Sequence, residues 1–196
     1  TLGSKNAWPA AAWFDYINLR VNGLKFHKQL LAGELSFRTQ QVNNVLVYWK
    51  SLIESDFFLS GSASLNWRQS MPFLYREIAG MTLVGSFVVR VLPKNLEEDI
   101  GFFRFPQILE NMPMYENVPT DLLMLNVSSE SNIYAKKLLS FFATPQVQKI
   151  FSERSGYFAP NQKDIKELKG FTKIGAQHIS QTDVYTTVTY TQMTLP

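Results

Sequence analysis

The sequence predicts an α/β fold built on a mainly parallel sheet. Three observations carry that reading. Apolar residues recur at spacings of three and four in several segments, the mark of helices with one buried face. Short continuous apolar runs, bounded by glycine or proline, stand between such segments in the second half of the chain. No hairpin signal joins two of these runs, so strands separated by helices are expected to pair in parallel.

The elements follow in order. From 8 to 19 apolar residues are dense, Pro9 suits a first helical turn, and Asn22-Gly23 ends the run. A short amphipathic piece at 26–31 closes at Gly33. The clearest helix carries Val42, Val45, Leu46, Trp49, Leu52 and Ile53 on one stripe and stops near Ser55-Asp56. SGSAS at 60–64 is a loop by composition, and a further helix is expected from 67 to 78. It leads into a strand at 81–84, a Gly85-Ser86 turn and a helix beginning at Ser86. GFFRF at 101–105 predicts a strand stopped by Pro106, and the stretch through Pro113 and Pro119 a connection. The run at 121–127 predicts a strand buried on both faces. Ala135, Leu138, Leu139 and Phe142 mark another amphipathic helix. Thr144-Pro145, as cap and first helical position, starts one more, to about 151, broken by Gly156.

Composition excludes several classes of function. At 196 residues the chain can form one substantial domain or two small lobes. No apolar run approaches the length of a bilayer span. A formal charge of +3, with basic residues scattered, gives no nucleic-acid footprint; Lys163, Lys166, Lys169 and Lys173 read as a solvated helix face. With no cysteine there is no disulfide framework, thiolate metal site or thiol nucleophile. Aromatics, at 14% of the chain, suit a core, an interface or a sugar-binding cleft.

Catalytic patterns fail on inspection. A nucleophile elbow around Ser86 would need glycines where Val84 and Val88 stand. His27 and His178 lie in no triad context, and no phosphate loop or metal-ligand spacing is found. The chain is therefore read as not an enzyme, with no metal and no cofactor. Binding chemistry fits better. A helix starting at Ser86 would present backbone amides above the strand end, beside the ring of Phe87. Amides and an aromatic face are what a sugar needs, although Phe87 reads first as one more core residue. Trp8 has the same two readings, packing or cleft wall.

Five stretches carry a resemblance to a known family: WPAAAWFDYINLRVNGLKFHKQLLAGE (8–34), VNNVLVYWKSLIESDFF (42–58), GMTLVGSFVVR (80–90), GFFRFPQI (101–108) and VPTDLLMLNVSSESNIYAKKLLSFFATPQVQKIFSERSGYFAPN (118–161). In that order they resemble the carbohydrate branch of the family 1 extracellular solute-binding proteins of ABC importers, distant relatives of maltose-binding protein. The resemblance implies a two-lobed α/β fold of the periplasmic-binding-protein type II kind, closing on its ligand in an interlobe cleft. Residues 1–115 would belong to the C-terminal lobe, 117–155 would return to the N-terminal lobe, and 157–196 would form a tail returning to the first. Pro113 and Pro119 fall at one crossing and Gly156 near the other. Phe87 matches the aromatic, usually tryptophan, that follows the family's Gly-Ser or Gly-Pro turn and stacks on sugar. Trp8 matches the family's Trp-Pro. Asp121 would accept hydrogen bonds from sugar hydroxyls or cap a turn, and Tyr185 would be a further wall residue.

The function implied is extracytoplasmic capture of a mono- or oligosaccharide for delivery to importer permease subunits, in the periplasm or outside the cell. The chain departs from the family in length, lacking most of the N-terminal lobe, so any signal or lipid anchor would lie in a segment it does not contain. Its threonine-rich stretch at 185–191 stands where relatives carry charges. Exposed apolar surface where that lobe should pack predicts association with a missing N-terminal half or with itself. The alternative is a truncated module that keeps a protein-interaction role without transport.

Overall fold

The computed structural model describes residues 1–96, 99–118, 123–158, 170–180 and 185–186. The chain divides into two compact units. Thr1–Val84, Arg104–Thr120 and Gln181–Pro196 form the first; Gly85–Phe103 and Asp121–Ser180 form the second. Within the second unit one close approach joins segments far apart in sequence. Gly156 lies against the backbone of Ser86 and Phe87 and the Cβ of Val89.

The first unit is helical, with α1 (Trp8–Val21), α2 (Gly23–Leu31), α3 (Gln40–Glu54) and α4 (Trp67–Tyr75). Pro9 sits in the first turn of α1, where its missing N–H costs nothing. Gly23, at φ +77, lets the chain fold directly from α1 into α2. Thr39 caps α3 by accepting from the Val42 amide, and Asn66 and Gln69 form a reciprocal capping box at α4. The core joins Trp13, Phe14 and Ile17 of α1 to Leu30 of α2 and Val42 and Val45 of α3. Trp13 meets Phe58 and Phe105 edge to face, with ring centroids 5.1 and 5.3 Å apart. α4 ends at Tyr75 rather than at 78, because Glu77 turns into the left-handed region at φ 59. The amides of Glu77 and Ile78 then bond back to Leu74 and Phe73, closing a Schellman turn without glycine.

Regular strand is scarce. β1 (Glu116–Asn117) pairs in parallel with β2 (Tyr185–Thr186), Glu116 opposite Tyr185, and this is the sheet among the described residues. The expected strands at 81–84 and 101–105 are not strands; nor is the described part of the run at 121–127, residues 123–127. Those segments are apolar enough, but a strand exists only where a neighbour supplies its ladder partners, and none does among the described residues.

The second unit holds α5 (Ile133–Phe142), α6 (Pro145–Ser155) and α7 (Gly170–Ser180), with short 3-10 turns at Ser86–Arg90, Lys94–Leu96 and Val127–Ser129. Asn132 caps α5 by accepting from the Tyr134 and Ala135 amides. Thr144 stands at the head of α6, yet its hydroxyl donates backward to the Phe141 carbonyl instead of capping. Gly156 ends α6 at φ 74, as expected. The helix predicted from Ser86 is only a five-residue 3-10 turn. β-Branched Val88 and Val89 and the approaching Pro93 oppose its extension. Lys173 is exposed on α7, while Lys163, Lys166 and Lys169 lie outside the described residues.

Candidate functional site

Ser86 and Phe87 belong to the second unit, Trp8 and Tyr185 to the first. Asp121 lies outside the described residues, and Tyr185 is described through its backbone in β2. The array of amides expected over the Ser86 turn is reduced, since a five-residue 3-10 turn has no extended helix behind it.

The most shaped part of the second unit is the surroundings of Phe87. Gly85 is extended, at φ −75 and ψ 166, and the 3-10 turn starts directly after it. Within that turn Val88 is buried and supplies the anchor, while Phe87 is half-buried. The Phe87 ring folds back over Gly85: a Cβ added there would stand 2.5 Å from its Cε1. On the other side Gly156 presses against the same turn. A Cβ at Gly156 would meet the Ser86 carbonyl oxygen at 3.0 Å and the Phe87 Cα at 3.3 Å. The next residue, Tyr157, carries the ring that Phe87 faces, with centroids 5.9 Å apart and planes inclined at 56°. Tyr157 is held by its backbone, its amide donating to Ser155 Oγ and its carbonyl accepting from Ser152 Oγ. Its side chain is 38% exposed. Sequence reasoning missed Tyr157; the signal was its place directly after a helix-ending glycine.

In the first unit Trp8 is half-buried and packs edge to face on Trp67, centroids 6.4 Å apart. Arg68 lies over the Trp67 ring at 4.4 Å. Trp67, also missed, makes Trp8 part of an aromatic pair rather than a lone ring.

α1 also carries a buried polar cluster. Asp15 is only 5% exposed, and Asn117 Nδ2 donates to its Oδ2 at 3.3 Å. Burial pushes the Asp15 carboxyl up to about 7, against the smaller opposing pull of that hydrogen bond. Glu116 accepts from the Tyr16 hydroxyl at 3.1 Å and from Arg104 Nε at 2.6 Å, with Arg20 Nη2 3.6 Å away. Arg20, fully buried, donates to the carbonyls of Phe105 and Tyr115. Burial and the neighbouring Glu116 charge raise the Tyr16 hydroxyl above its ordinary range. These contacts lock α1 to the segment at 104–117, with Asn117 Oδ1 left buried and without a hydrogen-bond partner.

His27 is a core residue. Asn22 donates to Asn18 Oδ1, so the Asn18 amide nitrogen donates to His27 Nδ1 at 3.0 Å and the proton of the ring sits on Nε2. Burial lowers this imidazole to about 4. No group of three metal-ligating side chains occurs among the described residues, and no described helix is long and apolar enough to cross a membrane.

No family model matches the chain. An uncharacterized ABC transporter extracellular-binding protein of Pyrococcus horikoshii is 26% identical over 164 residues, covering 82% of this chain and 35% of that protein. Among solved structures, the bacterial solute receptor AcbH, described as having an exclusive substrate preference for β-D-galactopyranose, is also 26% identical. Its TM-score is 0.71, over 95% of this chain and 48% of its own. The chain thus spans between a third and a half of the length of these relatives. Both are binding proteins by description. By sequence and by fold, the chain is similar to extracellular solute-binding proteins of ABC transporters, and its fold matches part of a periplasmic-binding-protein fold.

Proposed function

We propose that this chain contributes to the extracytoplasmic capture of a sugar for delivery to the permease of an ABC importer. The observation that carries the reading is the fold shared with a β-D-galactopyranose receptor over nearly the whole chain. A half-buried aromatic at the Gly85-Ser86 turn adds chemical support, because pyranose C–H faces stack on aromatic rings while hydroxyls take hydrogen bonds. A hexopyranose, with galactose first in line, is the ligand class; the work is capture and release, not bond making. Phe87 is the stacking ring, Ser86 and Asp121 are polar contributors, and Trp8 and Tyr185 are wall residues.

Isothermal titration of the chain against a panel of pyranoses and short oligosaccharides, with peptides and polyamines as contrasts, tests this. Heat from at least one pyranose is the expected result. Silence across the sugars together with binding of peptides or polyamines overturns it.

A second reading rests on a separate observation. In the second unit Leu123, Met124, Val127, Tyr134, Leu138 and Phe141 are all more than half exposed. An apolar surface of that kind suits a protein partner. On this reading the chain is an interaction module, and light scattering would show it associating while the sugar titration stays flat.

A further inference from the structure

We propose that Asp15 is a proton-operated latch on β1. With its carboxyl protonated it exchanges a pair of hydrogen bonds with the Asn117 side chain; when the proton leaves for water, one bond is lost and β1 is held less tightly. The inference is independent of the sugar reading and concerns the first unit alone. Its ground is an imbalance of donors. Asp15, on α1, is 5% exposed, and the hydrogen bond that reaches it is a long one, 3.3 Å from Asn117 Nδ2 to Oδ2. The other end of the same carboxamide, Asn117 Oδ1, is buried and has no partner. An ionised carboxylate only accepts, so it cannot serve that oxygen, whereas a carboxylic acid carries one O–H and can. A proton on Asp15 thus supplies the donor that Asn117 Oδ1 lacks, while the acid still accepts from Nδ2. Leaving such an oxygen unpaired in a buried place is costly, which favours the closed pair.

The surroundings favour the proton. Burial raises the Asp15 carboxyl to about 7, and the Asn117 hydrogen bond opposes this only in part. No cation offsets the burial, since among the described residues Asp15 makes no ion pair. The titratable groups on the elements packed against α1 are engaged elsewhere or face water. Glu116 of β1 is taken by Tyr16, Arg20 and Arg104. On α2, His27 is bonded to Asn18, and Lys25 and Lys28 are exposed. On α3, Lys50 pairs with Glu54 and Tyr48 is exposed. The pair matters through its place in the chain. Asn117 is a ladder residue, opposite Thr186 of β2. β1 lies just before Thr120, where one segment of the first unit ends, and β2 just after Gln181, where the next begins. The latch therefore acts on the short ladder that joins these two segment ends.

The test is NMR on the whole chain between about pH 4 and 8, wild type beside Asp15→Asn. The Asp15 carboxyl carbon should titrate near about 7, and the Asn117 side-chain amide should shift with the same midpoint. Hydrogen exchange of the ladder amides of β1 and β2, corrected for intrinsic rate, should lose about tenfold in protection between about pH 5 and 6. Asparagine at position 15 carries a permanent N–H donor. Asp15→Asn should therefore keep its protection across that interval and leave the Asn117 amide unshifted. Should Asp15→Asn fail to fold, coincidence of the two midpoints in the wild type decides the question. An Asp15 carboxyl that titrates below about 5 overturns the latch. So does an Asn117 amide that fails to follow it, or a loss of protection that persists in Asp15→Asn.

Discussion

Single residues in this chain sit where their chemistry is under tension, and each such place makes a prediction. Glu77 occupies the left-handed turn closing α4, a position that glycine fills without a Cβ penalty. Glu77→Gly is expected to raise unfolding free energy by about 1 kcal/mol, read from urea melts; a loss of stability would contradict the turn geometry. Asp15 is the sharper case. Its carboxyl titrates near 7 in the fold against 3.8 as a free group, so the folded state binds the proton more tightly. The stability this gives is complete below about pH 3.8 and is lost as pH rises through about 7. His27 acts in the opposite sense. Its imidazole, lowered to about 4 from 6.5, favours the fold above pH 6.5 and loses that contribution as pH falls through 4. Over the window between 4 and 6.5 the two oppose each other, and a wild-type profile alone would hide both. Asp15→Asn removes only the first. The variant should be more stable than wild type at pH 8, with the gap closing toward pH 4. A gap that does not change with pH would show that Asp15 is not desolvated as described.

At the scale of elements, what was legible in the sequence was whatever is decided locally. The extent of α3 and the Pro9 and Gly156 boundaries depend on neighbours within a few residues and stand as read, but the α3 stripe is narrower: Val42, Val45, Trp49 and Leu52 face the core while Leu46 and Ile53 are exposed. The Thr144-Pro145 start of α6 was right in place and wrong in mechanism, because the Thr144 hydroxyl has a nearer acceptor in the Phe141 carbonyl. The runs at 81–84 and 101–105 were misread as strands, since pairing partners are a non-local fact that composition does not carry. The same holds around Phe87: its turn was legible, but Tyr157 comes to face it because Gly156 touches a segment far away in sequence. Element packing also makes a prediction at Glu116, which ties α1 to β1 through Tyr16, Arg104 and Arg20. Removing it strands a fully buried guanidinium beside another. Glu116→Ala is expected to cost about 3–5 kcal/mol in urea unfolding, and Glu116→Gln less. A cost under about 1 kcal/mol would mean that the cluster is solvated.

For the whole molecule, the two units have unequal characters. The first has a core of aromatics and aliphatics drawn from three helices, with Arg20 and Arg104 paired to Glu116. In the second, α5 has no buried residue although it is largely apolar, and Met124 and Val127 are over 80% exposed. The chain spans about half the length of the solved receptor whose fold it shares. The central claim is that a pyranose rests on Phe87. Saturation-transfer difference NMR, which detects weak as well as strong binding, tests it on the chain directly. Wild type mixed with D-galactose should transfer saturation to the C–H protons of one sugar face, and Phe87→Ala, folded by circular dichroism, should not. No transfer from the wild type, or equal transfer from both, would contradict the claim.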